Sequence, residues 1–162
     1  NPLRQAQGER KESEEDGIKF KALSERDMLA NFWQGAEHYQ EFVSFNGRSF
    51  DVPFLMIRSA ILEVRPSRDL MSNRYLGSQR FGAKHIDLLD QLTFYGAMRK
   101  KGNLHLWSRA FGIKSPKAEG VTGEDVGRLF REKKFLDIAK YNVGDLRATL
   151  ELYNYWEKYL RF

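Results

Sequence analysis

Apolar and polar positions along this chain switch between two periods, and the switches mark out strands and helices. Ile18–Leu23 (IKFKAL) alternates apolar and basic residues, as a short half-buried strand does. Ser24 then stands as a helix cap with Asp27 in the first turn, and Met28, Leu29, Phe32 and Trp33 give that helix its apolar face. Glu41–Phe45 (EFVSF) is a compact apolar run of the buried-strand type, broken by Asn46-Gly47. A second helix is predicted from about Asp51, with Asp51 as its cap and Pro53 in its first turn. Phe54, Ile57, Ile61 and Leu62 are its expected buried stripe. Residues 65–84, rich in Arg, Ser, Gly and Asn, read as irregular, and His85–Leu89 (HIDLL) as a further strand. Helical patterns over Leu104–Phe111, over Gly123–Lys133 and from Phe135 to the C-terminus complete the order β-α-β-α-β-α-α-α. That order predicts a layered α/β domain.

Residues 1–16 hold almost nothing to bury and read as a polar tail or linker, leaving residues 17–162 as the domain. The tail carries a net charge of −2, so the rest of the chain carries +7 of the total +5. A body this basic suits a polyanionic partner such as nucleic acid, and equally suits a merely soluble basic surface. Hydrophobic residues make up 41% of the 162, enough for one packed core. There is no cysteine, which removes disulfides, thiolate metal sites and cysteine nucleophiles, and fits a reducing compartment such as the cytoplasm. No apolar run approaches the ~20 residues of a membrane span, so no membrane partner is expected.

Two segments carry candidate chemistry. In Asn46-Gly-Arg-Ser-Phe50-Asp51-Val-Pro53, an acidic side chain sits where a strand gives way to a helix, the end of the sheet at which open α/β folds bind ligands. Phe50 is expected to anchor this loop in the core, and Asn46 to offer hydrogen bonds. A plain turn followed by a helix cap explains the same residues. In Tyr141-Asn-Val-Gly-Asp145, on the last helix, a turn of about 100° per residue puts Asp145 on the stripe of Ile138, Tyr141, Thr149 and Trp156. A carboxylate among apolar and aromatic neighbours needs a cation or hydrogen-bond partners, and Tyr141 stands one turn away. A core aspartate paired with an arginine or a loop is the other reading. His38, His85 and His105 share no metal-ligand spacing and read as structural. Asp87 reads as an inward polar or strand-end residue rather than a ligand, and Asp90 flanks the same strand. Arg99-Lys100-Lys101, Arg131-Glu-Lys133-Lys134, Lys114 and Lys117 fit phosphate contacts or a solvated face equally well. Tyr153, Trp156, Tyr159 and Leu160 read as helix packing.

Taken together, Asn46-x3-Phe50-Asp51 and, far downstream, Tyr141-x3-Asp145 on a terminal helix resemble the second and third motifs of the DEDDy-type 3′–5′ exonucleases. Those enzymes have an RNase H-like mixed sheet flanked by helices. The chain looks most like the predicted exonucleases related to the exonuclease domain of family B DNA polymerases. Supporting stretches are FVSFNGRSFDVPFL (42–55), HIDLLDQL (85–92), LHLWSRAFGIKSPKAEGVTGEDV (104–126) and IAKYNVGDLRATLELY (138–153). The resemblance implies a nucleic-acid substrate, most readily single-stranded DNA or a DNA 3′ end, cut at its terminal phosphodiester. It also implies a two-ion Mg²⁺ or Mn²⁺ site with Asp51 and Asp145 as metal ligands, and Tyr141 orienting the attacking water. Asn46 and Phe50 would then shape the site for the terminal nucleotide.

One element of the resemblance is missing. The family's first motif, Asp-x-Glu on the first strand of the sheet, has no counterpart here. The nearest acidic cluster, Glu12-Ser-Glu14-Glu15-Asp16, lies in the polar tail without strand character, and the first strands of the sheet are also absent. Either an upstream portion carries Asp-x-Glu, which suits a chain that opens on Asn1, or this is a catalytically inactive nucleic-acid-binding module of the same fold. The first is favoured, because a sheet without its central strand buries too little to stand alone.

Overall fold

The structure, a computed structural model, describes residues 12–15, 17–114 and 123–162. Strand character begins earlier than the sequence pattern indicates. Strand β1 (Glu12–Glu15) pairs antiparallel with β2 (Ile18–Lys21), and Gly17 turns between them at φ 74°. Glu14 lies opposite Lys19, and Glu15 forms an ion pair with Lys140. Residues 13–15 are all exposed, so the strand shows no apolar alternation. It rests on its backbone ladder and on opposite charges across it.

Helix α1 (Glu25–Ala36) starts where expected, with Ser24 Oγ accepting a hydrogen bond from the Asp27 amide at 3.1 Å. Its buried face is Leu29, Trp33 and Ala36, whereas Met28 and Phe32 turn outward, 49% and 38% exposed. Strands β3 (Glu41–Ser44) and β4 (Lys84–Asp87) pair in parallel, with Phe42 opposite His85, Val43 opposite Ile86 and Ser44 opposite Asp87. Parallel strands need a crossover, and α2 (Asp51–Ile61) lies within it. Alternation along the strands sends the two faces of this pair to different helices. Phe42 packs with Trp33, Ala36, Val52 and Leu70, while Phe45 and Ile86 pack with Leu88, Leu152 and Trp156. Among the described residues β3 pairs with β4 alone, so its other edge carries no strand.

Helix α2 turns a different face inward from the one its largest apolar residues suggest. Val52 and Ser59 are buried, while Phe54, Ile57 and Ile61 are more than half exposed. Ser59 is fully buried because its hydroxyl accepts the Trp33 indole N–H at 2.8 Å. That bond fixes the rotation of α2 against α1. Phe50, expected in the core, is 65% exposed and stacks on Phe54 at 5.9 Å.

Strand β4 ends sooner than the apolar run HIDLL indicates, because the Asp87 carboxylate accepts from the Leu89 amide and caps a short helix, α3 (Leu88–Leu92). Helices α4 (Leu104–Ala110), α5 (Gly123–Arg131) and α6 (Phe135–Tyr159) fall within about two residues of their expected limits. Helix α6 buries Ala148, Thr149, Leu152 and Trp156, and Arg161 just beyond it reaches Glu41 at 2.7 Å, tying the helix end to the start of β3. The strand and helix order is therefore that of an α/β domain with one more strand at its start and one more helix after β4 than the pattern showed. No helix among the described residues is long and apolar enough to cross a membrane.

The rotation of α2 carries a testable consequence. Ser59→Ala leaves the Trp33 indole N–H buried without an acceptor and should lower stability by about 1–3 kcal/mol. Ile57→Ser, on the exposed face, should stay within about 0.5 kcal/mol. Urea denaturation of the two variants decides it, and an equal or reversed effect rejects this packing.

Candidate functional site

Asp51, Tyr141 and Asp145 all line one cavity of about 620 Å³. Its walls also take in β3 from Phe42 to Phe45, Leu55 of α2, and Asn103 and His105 at the start of α4. Asp51 arrives from the first residue of α2, and Tyr141 and Asp145 from successive turns of α6, where residues four apart share a face. Asp145, one turn on, acts on the Tyr141 hydroxyl both by its charge and as a hydrogen-bonding partner in setting its pKa. Burial first, then the charge of Asp145 and that bond, holds the Tyr141 phenol above its ordinary pKa. Tyr141 therefore remains a protonated hydrogen-bond donor at neutral pH. The backbone of Asp145 is engaged as well, its carbonyl accepting from Thr149 Oγ1 at 2.8 Å.

Asp51 is placed by a loop that is fastened from several sides. The buried Asp87 carboxylate accepts the Asn46 amide at 2.8 Å and the Arg48 amide at 3.0 Å, besides the Leu89 amide at 3.0 Å. The Arg48 guanidinium donates to the carbonyls of Leu70 at 3.2 Å and Met71 at 3.3 Å. Asn46 holds a left-handed φ of 62°, which asparagine tolerates better than most residues. Gly47 is buried so close to the end of β3 that a Cβ there would meet Ser44 Oγ at 2.3 Å and Asp51 Oδ2 at 3.3 Å. Beneath the loop, His85 Nδ1 lies 3.2 Å from the Leu70 carbonyl, which only accepts, so this nitrogen carries the proton. Burial lowers the pKa of His85, keeping the ring neutral despite the charge of Asp87. Its Nε2 then accepts from Ser44 Oγ at 2.7 Å.

Asp51 does not cap α2. Phe50 holds the cap position, with no capping side-chain bond, and the Asp51 carboxyl faces the cavity. Desolvation raises its pKa, and the charge of Asp87 adds to that, against its own backbone N–H and His85, which lower it. Of the five residues singled out from the sequence, the structure thus brings Asp51, Tyr141 and Asp145 together. Asn46 and Phe50 do not line the cavity: Asn46 contributes its backbone to Asp87, and Phe50 points to solvent. Ser44, His85, Asn103 and His105 do line it, and the sequence reading had placed neither Ser44 nor Asn103 there and had taken both histidines as structural. The position of His85 on a strand neighbouring Phe42–Ser44 was the one signal available for it. Lys117 lies outside the described residues.

Carboxylate oxygens are the donors that hard divalent cations take. Among the described residues, however, no group of three or more His, Asp or Glu side chains is placed to hold a metal ion. Asp51 and Asp145 are two carboxyls of that chemical kind on one cavity.

The cavity thus combines two carboxylates and a tyrosine, drawn from a strand–helix junction and a terminal helix. Residues 9–161 match the family described as predicted 3′–5′ exonucleases related to the exonuclease domain of PolB, and the chain belongs to that family. DNA polymerase 1 of Sulfolobus acidocaldarius is 29% identical over 150 residues, a stretch covering 86% of this chain and 16% of the polymerase. The chain thus corresponds to a small part of that relative's length.

Two outcomes follow from the site's electrostatics. Asp87→Asn keeps one acceptor oxygen for three amides and should cost about 1–3 kcal/mol, read by denaturant unfolding. A loss below about 0.5 kcal/mol would show that the loop is held otherwise. Asp51 has a folded pKa above its unfolded value of about 3.9. Its ionisation therefore costs nothing below that pH, and the cost sets in as pH rises through the interval up to the folded pKa. Asp51→Asn should accordingly raise the melting midpoint at pH 7, with the gain vanishing near pH 3. A gain that persists at pH 3 would assign it to another cause.

Proposed function

We propose that this chain belongs to a metal-dependent 3′–5′ exonuclease that hydrolyses phosphodiester bonds at nucleic-acid 3′ ends, with DNA as its substrate. The observation that carries this reading is the convergence of Asp51, Tyr141 and Asp145 on one cavity, in a chain of a family of predicted 3′–5′ exonucleases. Asp51 and Asp145 are the metal ligands of this reading, with Mg²⁺ or Mn²⁺ in a two-ion site as the oxygen-seeking cofactor. Two carboxylates facing a phosphodiester repel it unless a cation stands between them. Tyr141 acts as a phenol, holding a water or a phosphate oxygen beside Asp145. Asn46 and Phe50 stay in the proposal only as loop residues that frame the approach to Asp51.

The fold in this reading is RNase H-like and of the DEDDy type. The free edge of β3 supports it, since β1–β2 and β3–β4 are separate two-stranded sheets with no strand between them among the described residues. A further strand bearing an acidic pair along the edge of β3 would complete the donor set of this reading. An incomplete set of metal-capable side chains among the described residues favours the second reading, a nucleic-acid-binding module of the same fold without catalysis.

Degradation of end-labelled oligonucleotides by the full-length protein separates the two readings. The expected result is loss of nucleotides from 3′ ends only when Mg²⁺ or Mn²⁺ is added. Asp145→Ala should abolish this, and Tyr141→Phe should slow it by roughly a hundredfold. Undiminished cleavage by Asp145→Ala rejects the assignment. Salt-sensitive DNA binding with no cleavage under any metal establishes the second reading instead.

A further inference from the structure

The cavity is approached by a segment that the site chemistry leaves unused, the turn Arg99-Lys100-Lys101-Gly102-Asn103 that leads into α4. Its last residue and His105, two positions on, line the cavity. Arg99, Lys100 and Lys101 are all exposed, and none of them forms an ion pair among the described residues. Three uncompensated cations therefore sit within a few residues of the cavity wall.

The turn is also held in shape. The Trp107 indole N–H donates to the Lys101 carbonyl at 2.7 Å. Gly102 takes φ 69°, and a Cβ there would meet Leu106 Cδ2 at 2.8 Å and Trp107 Nε1 at 3.2 Å, so the backbone lies directly on the first turns of α4. Asn103 Oδ1 accepts the Leu106 amide at 2.9 Å. With its oxygen so engaged, the Asn103 side chain has its two amide N–H groups left to donate. A phosphate meeting this segment finds the backbone of Lys101–Asn103 already held, which limits the ordering cost there.

The other basic cluster differs. At Arg131-Glu132-Lys133-Lys134, Glu132 pairs with Lys134 at 2.9 Å and with Arg128 at 3.3 Å, so part of its charge is cancelled in place.

We infer that residues 99–103 form the entry lip of the cavity, where Arg99, Lys100 and Lys101 take successive backbone phosphates of a single-stranded nucleic acid and Asn103 donates to the nucleotide passing inward. This deepens the exonuclease reading and rests on it for the direction of the strand. The contacts are to phosphate and carry no base preference, so DNA and RNA share the recognition chemistry and only the experiment separates them.

The test is binding of the full-length protein to fluorescent single-stranded oligonucleotides, one DNA and one RNA, in EDTA across a salt series. Each phosphate contact on a single strand adds about 0.7 to the slope of log affinity against log salt. Arg99→Ser/Lys100→Ser/Lys101→Ser should therefore lower that slope by about 2. The charge-matched control Arg131→Ser/Lys133→Ser/Lys134→Ser should leave it where it was. Asn103→Asp keeps the helix cap and should weaken binding without moving the melting midpoint. An unmoved slope in the first variant, an equal fall in the control, or no salt-dependent binding by the parent chain overturns the inference. Failure here is distinct from failure of the exonuclease reading. Cleavage lost in Asp145→Ala beside an unmoved slope leaves the enzyme standing without this lip. Cleavage unmoved in Asp145→Ala beside a lowered slope leaves the lip as a binding element of some other activity.

Discussion

The Asp87 carboxylate is the point on which the rest of the site depends. It is almost fully buried and accepts three backbone N–H groups, from Asn46, Arg48 and Leu89. Burying a carboxylate is costly, and hydrogen bonds to the charged form are what offset that cost. Those three amides belong to different elements. Leu89 is in the first turn of α3, and Asn46 and Arg48 lie in the loop that delivers α2. One side chain at the end of β4 therefore sets both the turn into the next helix and the path of the chain between β3 and Asp51. The same charge that fastens the loop also helps raise the pKa of Asp51. Placement of the cavity carboxyl, and a share of its electrostatic tuning beside that of desolvation, come from a single group.

The two faces of the β3–β4 pair serve different ends. One packs against α1 and α2 around Trp33 and Val52, and the other against α3 and α6 around Leu88 and Trp156. Between the helices of these two layers, at the ends of the strands, lies the cavity, which is where ligand sites fall in open α/β sheets. The Trp33–Ser59 bond bears on this directly. It sets which side of α2 faces inward, and with it the direction in which residue 51, two turns earlier on the same helix, presents its carboxyl.

What the sequence made legible follows from how each residue is held. Asp145 and Tyr141 were readable because a long helix has one strict period, and a carboxylate on its apolar stripe stands out. The start of α2 was readable from Asp51 and Pro53, but not its buried face, because apolar residues occupy more than one side of the helix and the deciding contact is a serine hydroxyl. Phe50 was misread for a related reason. At a junction with φ −140° and ψ −65° no periodicity says where the side chain points, and here it leaves the core for Phe54. Strand β1 escaped notice because its sequence ESEE carries no apolar alternation, its pairing being a matter of backbone and cross-strand charge. Ser44 and His85 reach the cavity through a strand register, Ser44 beside Asp87 and Phe42 beside His85, that joins segments some forty residues apart. Local pattern does not contain that kind of information.

Charge along the approach to the cavity changes sign, and this separates affinity from chemistry. Cations without an ion pair among the described residues occupy the turn before α4, while carboxyls of Asp51 and Asp145 line the interior. A polyanion is attracted by the first and repelled by the second. The desolvation that raises the pKa of Asp51 is the cost of holding such a group in a partly dry site without a counter-charge. Tyr141, kept protonated by burial and by Asp145, contributes no further negative charge and leaves its hydroxyl as a donor. The exposed cations can therefore be altered without touching the interior, so that the proposed retention of a strand separates from any chemistry inside. Any ligand of this cavity therefore meets two carboxyls inside it, one of which, Asp51, is already held above its ordinary pKa by desolvation, so a positively charged group is the species this interior would welcome most.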